Sequence, residues 1–389
     1  MDFSLSEEQQ MYLGLFNDFA ANEVARVAEV TDREEAPPLE LLKKAAAQGF
    51  LGVPIPEQYG GAGLDFLSYT LLLEAVARHC LSTAVTIAIH TSLASMALLL
   101  AGSETLKERY LTRLASGEVL GSFMLTEPEA GTDARALQTA ACRENGHYRV
   151  NGIKTWVSNG ELAGLHIVVA ATPAAGRKDC AMFALEKAAP GLSVGYREPT
   201  LGLRGLTLNT VYLEDCWVPA ENRFGEEGSG WEVVDRLVDL FRESLAAVSL
   251  GAAEGALELG LRFAVERKQF GIAIAEKDAI QAYFGDTKVD IESLRHLVHH
   301  AAWLCDAGRE FSQEASIAKY KGALVAKEAA NKMLQIHGGY GFSEEYAISR
   351  FHRDVRALRI LGGADEALRQ QIAAPELARR GVALKPELY

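Results

Sequence analysis

Apolar residues recur at helical spacing through the first third of the chain, as in Leu41 to Ala47 and Leu71 to Ala77. Side chains three and four apart on a helix share one face, so these runs predict helices with one buried side. Helical character is expected up to about Gly117, with Ser4 and Glu7 spaced as a capping box for the first helix. Gly60-Gly61-Ala62-Gly63 reads as a turn between helices; no strand precedes it, so it is not a dinucleotide-binding loop. The most apolar run, Leu81 to Gly102, is broken by His90, Thr91 and Ser92 and reads as a buried pair of helices, not a membrane span.

From about Glu118 to Glu227 the period shortens to that of strands. Tyr148-Arg-Val150 and Lys154-Thr-Trp-Val157 flank Asn151-Gly152, which predicts a hairpin there. Leu165 to Ala170, Ala181 to Ala184 and Thr210 to Leu213 continue the β pattern. Beyond Gly228-Ser-Gly230 the segments are again helical and long enough for a four-helix bundle. The expected organisation is α+β: a helical domain over 1–117, a β-domain over 118–228 and a helical bundle over 229–389.

Composition narrows the function. A chain of 389 residues with 49% hydrophobic and 23% charged residues suits a globular protein with a large core. A formal charge of −13 argues against a nucleic-acid surface, which needs clustered cations. The five scattered cysteines include no Cys-x-x-Cys pair, so neither a disulfide framework nor a cysteine zinc site is expected. His296, His299 and His300 have helical spacing but lack an acidic partner motif, and no metal site is assigned. The acidic start, Met1 to Gln10, is unlike a signal peptide, and the cytoplasm is the expected location.

Five segments carry the chemistry. Leu125-Thr-Glu-Pro-Glu-Ala-Gly-Thr-Asp133 and Lys154-Thr-Trp-Val-Ser-Asn-Gly160 lie in the strand region. Arg267-Lys-Gln-Phe-Gly271, Gln335-Ile-His-Gly-Gly339 and Arg359-Ile-Leu-Gly-Gly-Ala-Asp-Glu366 lie in the helical half. Singly they are a polar turn, a hairpin, a solvated helix end and two glycine turns. In this order, from Tyr59 to Arg369, they resemble the acyl-CoA dehydrogenase family over nearly the whole chain. That family commonly reads Leu-Thr-Glu-Pro-x-Ala-Gly-Ser-Asp, Lys-x-Trp-Ile-Thr-Asn-Gly, Arg-x-x-Phe-Gly, Gln-x-x-Gly-Gly-x-Gly and Ile-Tyr-Glu-Gly-Thr-Ser-Glu at these places.

The resemblance implies a flavoprotein with bound FAD, an acyl-CoA or acyl-carrier thioester as substrate, and an electron-transfer flavoprotein or other acceptor. A homotetramer is the implied assembly, with a hetero-oligomer as the alternative; no nucleic acid or membrane is implied. A flavin that takes a hydride at N5 becomes an N1 anion, so donors must face its pyrimidine edge. The resemblance gives that role to Thr126 and neighbouring amides, beside Leu125, with Ser158 at N5 and Trp156 on the ring. Gly131 lets backbone approach the pyrophosphate, and Thr132 donates to phosphate or pantetheine. Arg267, with Gln269 and Phe270, reaches a neighbouring subunit's FAD; Gln335, Gly338 and Gly339 lie under the adenosine half. Ala364 and Glu366 complete the cofactor contacts. Asp239 and Arg242 match the family's Asp-x-x-Arg at the pantetheine and thioester, and Gly363 is a further substrate contact. A solvated surface ion pair is the ordinary alternative for Asp239 and Arg242.

The family's α-proton base is missing. Its glutamate aligns with Gly362, and the second known base position, just before the conserved arginine, is Phe241. Glu243 lies about 200° around the helix from Phe241 and faces away. Asp365 fits a helix N-cap better than a base, and His90 reads as a structural histidine more than a pocket residue. Leu361 and Ala364 replace the family's Tyr and Thr, and Lys277-Asp278 replaces a pair that helps hold FAD. Gly362 keeps a backbone N–H for the thioester carbonyl and is expected to open room for a bulky acyl group. The leading expectation is an FAD-dependent acyl thioester dehydrogenase, an α,β-desaturase with a relocated or atypical base. The alternatives are base-independent flavin chemistry by elimination or loss of a one-carbon group, or a base-less subunit of a hetero-oligomer; a monooxygenase fits the motifs less well.

Overall fold

The computed structural model describes residues 4–382 apart from 175–176 and 226–227. The first helix, Glu7–Phe19, begins on Ser6, whose hydroxyl accepts from the Gln9 amide (3.1 Å) while Gln9 Oε1 accepts from the Ser6 amide (2.9 Å). The capping box expected at Ser4 and Glu7 therefore sits two residues later. This register puts Glu7 and Glu8 in the first turn, where acids suit the helix dipole, and turns Phe16 and Phe19 inward.

The apolar run after Leu81 is one continuous helical rod, not the expected pair. Its α-helical ends, Leu81–Ala88 and Met96–Ala101, are joined by a π-helical segment, Ile89–Ser95. The polar residues that suggested a break sit in this wider turn. Ser92 and Ser95 return hydrogen bonds to the carbonyls of Ala88 (2.5 Å) and His90 (2.9 Å), and Thr91 bonds the Leu51 carbonyl (3.0 Å). Each hydroxyl is satisfied without a chain break. The rod is long and apolar enough to cross a membrane, yet most of it is buried within the protein.

The strands are β1 (Gly121–Met124), β2 (Ala140–Glu144), β3 (His147–Ser158), β4 (Leu165–Ala174), β5 (Arg177–Glu186), β6 (Leu192–Arg197), β7 (Leu208–Pro219) and β8 (Arg223–Phe224). They form one sheet in the order β6-β7-β3-β2-β4-β5-β8, with β1 paired in parallel to β4. The hairpin lies at Asn145-Gly146, where φ is +47° and +79° and Glu144 pairs with His147, not at Asn151-Gly152. Both sites carry the turn dipeptide, but Asn151 exchanges side-chain bonds with Asp215 on β7, and β3 runs through it with a bulge. Alternate strand residues, among them Met124, Val150, Val168 and Phe183, close a separate core inside the β-domain.

One buried ion pair ties β1's exit to β3. Lys154 Nζ donates to Glu127 Oε1 (2.6 Å) and to the Leu125 carbonyl (3.0 Å), while the amides of Thr139 (3.0 Å) and Gln138 (2.6 Å) donate to the same carboxylate. The Thr155 amide donates to the Thr126 carbonyl (3.0 Å) alongside. Burial raises the Glu127 pKa, but Lys154 and the amide bonds outweigh it and leave the carboxyl below its ordinary 4.5.

The bundle consists of Gly230–Glu266, Asp278–Asp306, Ser312–His337 and Asp365–Ala378. Its first helix presses on Phe66–Ala77 through small residues: a Cβ on Gly251 would fall 2.2 Å from the Glu74 carbonyl oxygen, and one on Gly255 2.2 Å from that of Arg78.

Gly251→Ala is therefore expected to destabilise the fold by about 1–3 kcal/mol through overpacking; an unchanged urea midpoint would contradict the close approach. Glu127→Gln, which leaves Lys154 buried without a counter-charge, is expected to cost about 3–5 kcal/mol at pH 7. Because the folded pKa is lowered, the wild-type advantage is complete above pH 4.5 and fades as pH falls through the folded value. Stability curves for both proteins from pH 7 downward should converge in acid; a gap that stays constant with pH, or no gap at all, would contradict a role for the ionised Glu127.

Candidate active site

The Lys154–Glu127 pair brings the two strand-region motifs edge to edge, and the backbone then turns Trp156 out. Between Lys154 and Val157 the pairing with β7 slips, Trp156 takes φ +55°, and its indole is left 58% exposed. A left-handed tryptophan costs about 1–2 kcal/mol and persists because its flanks are fixed. On one side Lys154 is anchored; on the other, Asn159 donates to the carbonyls of Thr86 (3.2 Å) and Gly121 (3.3 Å). Leu125 and Thr126 lie half-buried beside this bulge, Ser158 is buried at its end, and Gly131 and Thr132 are exposed. A flat exposed indole, nearby backbone amides, and a glycine whose side-chain direction is open to 4 Å at Gly131 fit a flavin and its phosphates.

A second group gathers at one end of the bundle. Arg267 leads into a hairpin, Lys268–Gln269 with Ile272–Ala273, whose tip is Phe270 at φ +59°. The Arg267 guanidinium lies 5.4 Å from the Tyr340 ring centroid, which brings the hairpin to Gly338 and Gly339. Both glycines have open side-chain directions, and Gln335 is exposed one turn earlier. Phe270 and Phe342 are 93% and 91% exposed.

The loop Leu361–Ala364 is held by two cations. Arg242 Nε donates to the Gly362 carbonyl (2.9 Å) and Lys319 Nζ to the Gly363 carbonyl (2.6 Å). The glycines take φ +68° and +110°. Ala364, not Asp365, is the N-cap of the last helix, and it makes no side-chain capping bond. Asp365 instead pairs with Arg359 (2.5 Å) and Lys319 (3.7 Å), so the N-cap expectation is corrected by a competing buried ion pair. Glu366 is exposed beside it. Lys319 was not singled out in the sequence, although its signal was present: one lysine on the apolar stripe of Ala315, Ala318, Gly322 and Ala326.

Gly362 and Phe241, the two positions where the resemblance implies a base, meet at this loop. A Cβ on Gly362 would lie 3.7 Å from Phe241 Cδ1, 3.6 Å from Arg242 Cγ and only 2.9 Å from Leu245 Cδ1. The room expected at Gly362 is therefore taken up by Phe241 and Leu245. Asp239 and Arg242 form a buried pair (3.2 Å, each side chain 11% exposed), not a solvated one, and Arg242 Nη1 also donates to Ser316 (3.3 Å).

Other acids and bases are turned elsewhere. Glu243 is fully buried and accepts from Thr70 (2.8 Å) on the opposite side of its helix, and burial pushes its pKa well above the ordinary value. His90 Nδ1 accepts from the Gly121 amide (3.0 Å), so Nε2 donates to the Leu114 carbonyl (3.2 Å); burial lowers its pKa to about 4. His299 faces Glu74 (2.9 Å) and His300 stacks on Trp303, on separate partners.

Comparison with known proteins agrees with this arrangement. Profiles of the acyl-CoA dehydrogenase N-terminal, middle and C-terminal domains match residues 6–118, 122–216 and 228–377. An acyl-CoA dehydrogenase of Bacillus subtilis is 38% identical, over 94% of this chain and 97% of that one. CarC, a subunit of the caffeyl-CoA reductase-Etf complex of Acetobacterium woodii, is 36% identical over 95% of this chain and 98% of its own. The solved butyryl-CoA dehydrogenase of Megasphaera elsdenii superposes with a TM-score of 0.94 at 34% identity, covering 97% of this chain and all of that chain. The chain belongs to the acyl-CoA dehydrogenase family of flavoprotein oxidoreductases.

Proposed function

We propose that this protein is an FAD-dependent oxidoreductase acting on an acyl thioester without a carboxylate base at the α-carbon. The observation that carries this reading is the convergence of Gly362 and Phe241 under Arg242: the loop is kept, and the space beside it is apolar. The acids nearest in sequence have other partners or directions, which favours base-independent chemistry over a relocated base. FAD, when bound, supplies the two-electron acceptor, held by Leu125, Thr126, Gly131, Thr132, Trp156 and Ser158. In this reading Arg242 and Lys319 fix the carbonyls of Gly362 and Gly363, which orients the Gly362 N–H toward a thioester carbonyl where enolate charge develops. Asp239 meets the pantetheine arm, and an electron-transfer flavoprotein receives the electrons. The organisation is a helical domain to residue 117, a β-domain to 228 and a bundle beyond.

A homotetramer is proposed on the exposed aromatic tip. Phe270 and Phe342 would leave large apolar area in water, and the Arg267 hairpin would cover a neighbour's cofactor.

Purified protein is expected to be yellow, releasing FAD on denaturation, with a light-scattering mass near four times 42.1 kDa. Phe270→Asp should shift that mass downward and lower FAD content. A wild-type monomer, or a protein that takes up no FAD on titration, would reject this assembly.

Phe241→Glu returns a carboxylate to the site without backbone strain, whereas a side chain at Gly362 would meet Leu245 at φ +68°. The variant is expected to reduce its flavin with butyryl-CoA about 10²–10⁴-fold faster than wild type, a gain of about 3–5 kcal/mol. Anaerobic bleaching of the flavin absorbance measures it; equal rates in the two proteins would mean that a base is already present.

A further inference from the structure

The charges around the Leu361–Ala364 loop do not balance. Arg242, Lys319 and Arg359 face two carboxylates, Asp239 and Asp365. Asp235 also bears on Arg242 but is itself paired with Arg135 at 2.7 Å, and Glu366 is exposed, near Arg369, whose own hydrogen bond goes to Tyr320. One positive charge is left over among the groups that hold the loop. Burial lowers the Lys319 pKa to about 8 against the pull of Asp365, with Arg242 and Arg359 adding smaller downward pushes.

The geometry says where an anion would fit. Arg242 uses Nε on the Gly362 carbonyl and Nη1 on Asp239 and Ser316, while Nη2 lies 3.5 Å from the point that a Cβ on Gly363 would occupy. Phe241 and Leu245 close the Gly362 side with apolar surface, so a carboxylate beside Gly363 has Arg242 Nη2 as its partner.

Resting on the reading above, we propose that the substrate brings the missing carboxylate itself: a thioester with a carboxylate on its α-carbon, seated beside Gly363 and paired with Arg242. The α-carbon–carboxylate bond breaks, the carboxyl carbon leaves as CO2, and the bond's electron pair stays behind as the thioester enolate. Loss of a hydride from the β-carbon to bound FAD, the two-electron acceptor of the proposed function, then leaves the α,β-unsaturated thioester. No proton is removed, so no base is needed. The Gly362 N–H receives the charge on the thioester oxygen.

The test compares ethylmalonyl-CoA with butyryl-CoA on the FAD-loaded tetramer under anaerobic conditions, reading affinity by calorimetry and CO2 from ethylmalonyl-CoA labelled in its free carboxyl. The expected result is at least about tenfold tighter binding of ethylmalonyl-CoA, a modest return for one opposite charge in a partly buried site, together with labelled CO2. Phe241→Glu should abolish the preference by restoring a like charge, and Arg242→Lys, which keeps the charge but not the Nη2 fork, should lower it. Equal or weaker binding of ethylmalonyl-CoA by wild type, or binding without CO2 release, overturns the proposal. If butyryl-CoA alone binds, the acyl thioester reading survives this failure. If neither thioester binds to FAD-loaded protein, that reading falls as well.

Discussion

Arg242 and Lys319 grip the carbonyls of Gly362 and Gly363 from two different bundle helices, and the site depends on that grip. A glycine pair with positive φ has no conformational preference of its own for a functional shape. Its shape comes from two buried cations whose remaining bonds reach Asp239, Ser316 and Asp365. Buried cations must find acceptors, because an unsolvated charge costs several kcal/mol. The loop's carbonyls are those acceptors, so desolvation of Arg242 and Lys319 becomes a positional constraint on the backbone. This constraint acts through main-chain carbonyls and does not depend on a side chain at 362.

The β-domain follows the same logic with one ion pair. Lys154 and Glu127 are buried together, and the bonds around them lock Leu125 and Thr126 to the residues that flank Trp156. The left-handed turn at Trp156 is thereby tolerated, and an aromatic face is presented outward. In both halves of the site, a desolvated charge fixes backbone, and the backbone presents the functional surface.

Much of this was legible in the residues. The division into helices, strands and helices followed from periodicity, and the direction of Glu243 followed from helix geometry alone. The motif residues from Leu125 to Ser158 and from Arg267 to Gly339 fall into two groups, one at the bulge and one at the bundle end. What the sequence concealed was competition between equivalent local signals. Asn145-Gly146 and Asn151-Gly152 both offered a hairpin, two capping boxes were available, and cross-strand partners and buried faces chose between them. The polar break in the Leu81 run was hidden because serine and threonine can bond their own helix backbone. The filling of the Gly362 space by Phe241 and Leu245 was also out of reach, since it depends on residues far apart in the chain. Asp365 looked like a cap because its distant partner, Lys319, lies on another helix.

The central claim is that no group of this protein removes an α-proton from a bound thioester. Exchange of that proton with solvent tests it directly, without reference to any later step. Holoenzyme incubated with butyryl-CoA in deuterium oxide should leave the α-position unlabelled beyond the enzyme-free control, as read by mass spectrometry. Incorporation of deuterium at the α-carbon at a rate set by enzyme concentration would show that a base is at work, and would contradict the account.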